Sequence, residues 1–108
     1  MEDAEYRLEV ERILATQLGR LRQMTYSAIQ ALPQSSAQDV EILGGNATLM
    51  VSRQDNPDPL QTGVMVVVTV ARATLVGFAS YHWEKGLVFS ASSEPREATD
   101  AEIRNNGG

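Results

Sequence analysis

Residues 64–71 form the segment that most limits how this 108-residue chain can fold. Their sequence, VMVVVTVA, is rich in the β-branched side chains that favour strands. Successive side chains of a strand point to opposite faces. One face would carry Val64, Val66, Val68 and Val70, and the other Met65, Val67, Thr69 and Ala71. Both faces are apolar, so the segment predicts a strand that other structure covers on both sides.

The first 32 residues show a helical pattern. Apolar residues recur at steps of three and four, from Tyr6 through Leu14 to Leu32, and this spacing places them on one side of a helix. Pro33 lacks an amide hydrogen and disfavours helical geometry in the residue before it. The pattern predicts one helix over residues 1–32, which ends at Pro33 and is followed by a polar link over residues 33–38.

Residues 39–93 change to a period of two, which is typical of strands. The expected strands are residues 39–43, 47–53, 64–71, 75–83 and 87–92. Tight turns are expected at Gly44-Gly45-Asn46 and at Glu84-Lys85-Gly86, and the proline-containing residues 54–62 are expected to form a loop. These assignments predict an antiparallel sheet.

The tail over residues 94–108 contains Thr99-Asp100-Ala101-Glu102, which matches the capping box of a helix start. A short C-terminal helix is therefore possible. Taken together, residues 1–108 are expected to form a single α+β domain, in which a long N-terminal helix packs on an antiparallel sheet of about five strands.

The apolar surplus of residues 64–71 raises the question of association. One helix covers one face of a sheet, so the other face needs a strongly curled sheet, the terminal helix or a second copy of the chain. We favour a homodimer, because most soluble oligomers are two-fold assemblies of one chain, and Val66 and Val67 become interface candidates. A line of Leu8, Ala15, Gly19 and Tyr26 along the helix could also receive a second helix, although isolated exposed apolar residues are common.

Charge and residue types exclude several classes of site. Nine basic and fourteen acidic residues give a net charge of -5, so the clustered cations needed to bind nucleic acid are missing. The chain has no cysteine and only one histidine, His82, which excludes thiolate zinc sites and sites with two imidazoles. We expect no metal and no cofactor.

Location follows from two further features. The N-terminus is acidic and lacks a secretory signal, and Arg72 interrupts the apolar stretch over residues 63–83. We therefore expect a cytoplasmic protein that does not associate with membranes.

The candidate site residues are Arg53, Arg72, Tyr81, His82 and Trp83. Strand alternation places His82 opposite to Tyr81 and Trp83, so these neighbours cannot form a catalytic triad. Arg53 and Arg72 lie in or beside strands, and guanidinium groups bind anions well. Simpler explanations are a bias toward arginine, which supplies eight of the nine basic residues, and an ordinary exposed histidine.

Two functions remain open, since the sequence contains no catalytic motif and identifies no family. The first is a non-enzymatic protein–protein interaction module, an adaptor or chaperone-like protein acting as a homodimer. The second is a small-ligand-binding protein or small enzyme with a pocket between helix and sheet near Tyr81, His82 and Arg72. One helix on a sheet serves many functions, so the fold does not choose between them.

Overall fold

The described residues form two helices, packed as a layer, and a five-stranded antiparallel sheet. In this computed structural model the described residues are 4–55, 63–73, 80–90, 94–99 and 103. The elements are α1 (Ala4–Arg22), α2 (Tyr26–Gln30), β1 (Ser35–Ile42), β2 (Gly45–Asp55), β3 (Val64–Ala73), β4 (Ser80–Phe89) and β5 (Arg96–Glu97). The strands lie in sequence order, so the sheet is a meander. The predicted α+β fold is confirmed.

Helix α1 packs on one face of the sheet, which we call the helix face. Its buried residues are Tyr6, Val10, Leu14, Leu18 and Leu21, at steps of three and four that share one side of a helix. They meet Val64, Val66, Val68 and Val70 of β3 and Leu87 and Phe89 of β4 in one core. Each such side chain contributes about 1.5–3 kcal/mol when it is fully buried, so this contact is the main apolar core.

The predicted single helix over residues 1–32 is wrong in one respect: α1 ends at Arg22 and a separate short helix follows. Thr25 is extended and its hydroxyl accepts the amide hydrogen of Ala28 at 3.1 Å, so it caps the start of α2. Ile29 of α2 is fully buried in the same core as α1. The apolar period thus continues across the break, which is why spacing alone did not reveal it.

Strand β1 begins at Ser35, within the residues predicted to be a link. It pairs with β2 along its whole length, from Ser35 opposite Ser52 to Ile42 opposite Gly45. Most of its residues are exposed, because it lies at the edge of the sheet. An edge strand needs few apolar residues, so its polar sequence resembled a loop.

The β1–β2 turn is shorter than predicted and consists of Leu43 and Gly44 alone. Both have positive φ, 49° at Leu43 and 82° at Gly44, as the favoured two-residue hairpin turn requires. Gly45 and Asn46, which we expected to supply such angles, instead belong to β2. Leucine in the left-handed region costs of the order of 1–2 kcal/mol, and the turn's fit to the strand twist offsets that cost.

The predicted turn at Glu84-Lys85-Gly86 is wrong, because β4 continues through it from Ser80 to Phe89. Gly86 lies opposite Val67 of β3 and is buried. A Cβ atom on Gly86 would lie 3.1 Å from the Val66 carbonyl oxygen and 3.3 Å from the Ala98 Cβ. Glycine is therefore present for close packing against the C-terminal part of the chain rather than for a turn.

The opposite side of the sheet, which we call the outer face, is covered around β3 by that C-terminal part. Met65 and Val67 form a second cluster with Ala98 and Ile103, and both are at most 6% exposed. The Ala98 amide donates to the Gly86 carbonyl at 2.8 Å and the Ile103 amide to the Thr99 carbonyl at 3.1 Å. The second bond joins residues four apart in the sequence. The short C-terminal helix that the capping box predicts falls mostly on residues outside the described part.

Substituting Gly86 with alanine should test this packing. We expect Gly86→Ala to lower the free energy of unfolding by about 1–2 kcal/mol, since an added methyl overpacks the site, and to speed amide hydrogen exchange at Ala98. Gly19→Ala is the matched control: apart from the backbone of its own helix and its two chain neighbours, no described atom lies within 4 Å of its added Cβ, so it should stabilise α1 by about 1 kcal/mol. Urea unfolding measures both, and an unchanged or more stable Gly86→Ala variant would contradict the packing.

Candidate functional site

The N-terminal turn of α1 is held to the sheet by three side chains. The Tyr6 and Trp83 rings lie 5.6 Å apart, tilted by 42°, and the Arg72 guanidinium carbon lies 4.4 Å from the centre of the Tyr6 ring. Such aromatic and cation–π contacts each contribute roughly 0.5–1.5 kcal/mol. Arg72 and Trp83 thus have structural contacts on the helix face.

The structure does not bring the remaining candidates into one cleft. Arg53 donates its Nε hydrogen to the Leu32 carbonyl at 3.0 Å and fastens the segment after α2 to β2. Val66 is fully buried on the helix face, and Val67 is covered on the outer face. The Tyr81 side chain lies outside the described residues, although its backbone pairs with Arg72.

His82 is exposed on the outer face, directly opposite Ala71. It lines a shallow cavity of about 150 Å³ together with Met50, Ser52, Gln54, Val67, Thr69, Glu84 and Ile103. Arg72 lies on the other face of the sheet, so the cavity near His82 is not the expected pocket between helix and sheet. The Gln54 Oε1 atom is buried without a hydrogen-bond partner among the described residues.

The most distinctive surface is the free edge of β1. The Arg53 amide donates to the Gln34 carbonyl at 2.9 Å, so these two residues form a hydrogen-bonded pair of the ladder. Such pairs alternate along antiparallel strands. Even-numbered residues of β1 therefore bond to β2. Ser35, Ala37, Asp39 and Glu41 direct their backbone groups away from β2, and we call these four residues the open edge.

The two edges of the sheet differ in how they are protected. Strand β5 has only two residues, follows Pro95 and carries an ion pair between Lys85 and Glu97 at 3.8 Å. Its short length and the proline before it discourage further strand pairing at β5. Strand β1 has eight residues in an unbroken register and contains neither proline nor lysine. The two edges therefore differ in kind: β1 is a continuous eight-residue strand, whereas the opposite edge consists of β5 and the part of β4 that β5 does not reach.

A groove runs beside the open edge between α1 and β1, and we call it the edge groove. It consists of two cavities of about 230 and 170 Å³ that share Gln17, Gln38 and Leu49. Its other lining residues are Arg12, Ile13, Thr16 and Arg20 from α1 and Ser36, Ala37, Val40 and Val51 from the strands. Helix α1 packs mainly on β3 and β4, which leaves this space beside β1.

Electrostatics of the edge groove are shaped by one ion pair. Arg12 donates to the Glu9 carboxylate at 2.8 Å, and this hydrogen bond holds the pKa of Glu9 below its usual value. The charge of Arg12 is thus already balanced on the helix surface. Arg20 lies at the other end of the groove, near Ser36.

Sequence reasoning missed the open edge and its groove. Residues 35–42 carry a weak strand pattern, because Val40 and Ile42 alternate with a polar residue. The rest of the segment is polar or small, so its first residues were predicted to be a link. Which strand lies at the edge is set by the order of all five strands, and a local pattern cannot supply that order.

Metal binding, membrane insertion and similarity to known proteins do not identify a function for the described residues. Among the described residues, no group of three His, Cys, Asp or Glu side chains is placed to hold a metal ion, and no described helix has the length and apolarity to cross a membrane. No protein-family model, curated protein or solved structure shows significant similarity to this chain.

The Tyr6 hydroxyl gives a test of the contact between α1 and the sheet. It is buried without a hydrogen-bond partner among the described residues, and an unsatisfied buried hydroxyl costs about 1–3 kcal/mol. Tyr6→Phe keeps the ring under Arg72 and should raise the free energy of unfolding by about 1 kcal/mol in urea titrations. Tyr26→Phe, at a half-buried position, is the control; a loss of stability in Tyr6→Phe would mean that the hydroxyl is bonded.

Proposed function

We propose that this protein is a non-enzymatic interaction module that binds an extended segment of another protein by adding it as a strand to β1. The observation that carries the proposal is the open edge: four residues of a regular eight-residue strand direct outward backbone groups that have no hydrogen-bond partner among the described residues. Strand addition satisfies such groups with main-chain hydrogen bonds. The edge groove supports it, because side chains of the added strand on the helix face would enter that space.

Proline at position 37 should block strand addition selectively. The Ala37 amide belongs to the open edge, so Ala37→Pro removes an outward donor and leaves the β2 hydrogen bonds intact. In selections from a displayed library of random ten-residue peptides, we expect the wild type to enrich binders that lose at least tenfold in affinity for Ala37→Pro. Ala37→Val, which keeps the amide hydrogen, should bind as the wild type does.

Amide hydrogen exchange supplies the structural readout for the same experiment. A bound peptide should slow exchange at Ala37, Asp39 and Glu41, because even-numbered residues of β1 are already bonded to β2. Unfolding curves must show that the Ala37→Pro variant is folded. If it is not, Asp39→Pro, which also removes an outward amide hydrogen, takes its place in the binding test. Failure to enrich any peptide, or equal binding by the proline and valine variants, would refute strand addition.

A homodimer is the second part of the proposal. The outer face of β3, which first suggested it, is covered by Ala98 and Ile103 of the same chain, so the open edge becomes the surface through which two copies would join. Light scattering at micromolar concentration should show twice the 11.8 kDa chain mass for the wild type and a single chain for Ala37→Pro. A single-chain mass for both variants would contradict the homodimer and leave peptide binding untouched.

The alternative is a small-ligand-binding protein or small enzyme, and the cavity around His82 favours it. Its lining combines hydroxyls of Ser52 and Thr69 with the His82 imidazole and the Glu84 carboxylate, which is a polar set that can orient a small molecule. One variant distinguishes strand addition from small-ligand binding. His82→Ala should abolish ligand binding in the alternative and leave strand addition at β1 unchanged.

A further inference from the structure

We infer that the segment bound at the open edge alternates apolar residues with lysine or arginine, the basic residues facing outward beside Asp39 and Glu41. This inference rests on the proposed strand addition and names the class of partner. Its basis is that the two sides of the open edge differ in chemistry, and each side of an added strand must match one of them.

The outer side of the edge is acidic. Asp39 and Glu41 are exposed on it. Among the described residues of β1 and β2, the register places no basic side chain beside them; their neighbours on the outer face are Ala37, Asn46, Thr48, Met50 and Ser52. Opposite charges directly across neighbouring strands attract, and like charges repel. A strand with lysine or arginine on this side therefore binds best.

The groove side is apolar, with the positive charge of Arg20 at one end of its helical wall. Ile13, Val40 and Val51 are half-buried there, beside the buried Leu49. Arg12 is already paired with Glu9, and Arg20 repels cations that would point into the groove. Apolar side chains fit this side, and basic ones are directed outward.

A second copy of β1 is a poorer occupant than a basic strand. In symmetric antiparallel pairing, a register centred on Gln38 sets Ala37 against Asp39, and one centred on Asp39 sets that residue against its own copy. Either register gathers Asp39 and Glu41 of both chains on one side of the seam, where like charges repel. A basic peptide should therefore displace the self-pairing copy.

Peptides of matched pattern test the inference. An eight-residue peptide that alternates valine with lysine should bind the wild type at least tenfold more tightly than its valine–glutamate counterpart at low ionic strength, and 1 M NaCl should remove the difference. A peptide of the same valine and lysine content with the valines contiguous should bind at least tenfold more weakly. Isothermal titration calorimetry measures all three.

Charge reversal at the edge separates a local effect from the acidity of the whole chain. The double variant Asp39→Lys and Glu41→Lys should prefer the glutamate peptide. The control, Glu84→Lys and Glu94→Lys, changes the net charge equally at residues outside the open edge and should keep the lysine preference. Equal binding of both peptides, or reversal by the control, overturns the inference. Because Ala37→Pro should weaken every peptide, its result decides the proposed function separately.

Discussion

The fold depends on the need to cover β3 on both faces. Helix α1 covers the valines of β3 on the helix face. On the outer face, Ala98 and Ile103, from the C-terminal part of the chain, cover Met65 and Val67. The second cover can approach only because Gly86 has no side chain. Segments near both ends of the chain are thus used to bury one strand, and β1, most of whose residues are exposed, lies at the edge.

Much of this could be predicted from local pattern, and the rest depends on distant parts of the chain. The apolar side of α1 and the double-sided burial of β3 follow directly from residue spacing. The role of Gly86 does not, because a glycine after charged residues looks the same whether it forms a turn or admits Ala98. Strand β1 was taken partly as a link for a related reason: its polarity reflects an edge position that only the complete strand order determines.

The candidate site was harder to predict than the fold, because the proposed binding surface, the open edge, consists of backbone groups. Residue type made Tyr81, His82 and Trp83 candidate site residues. Trp83, however, packs with Tyr6, and His82 lies on the opposite face of the sheet. Recognition by main-chain amides and carbonyls requires no particular side chain at the bonding positions. It therefore leaves a weak trace in a sequence, chiefly regular strand length and the absence of proline and lysine.

The difference between the two edges bears on what would happen after the proposed addition of one strand. A sheet that is open at both edges can extend indefinitely and form fibres, since every added chain offers a new free edge. Here β5 is two residues long, follows Pro95 and pairs with β4 only at Leu87 and Val88, so the far side is not a continuous eight-residue strand like β1. A strand added there would meet a short edge made of β5 and the rest of β4, which disfavours repeated addition in one register.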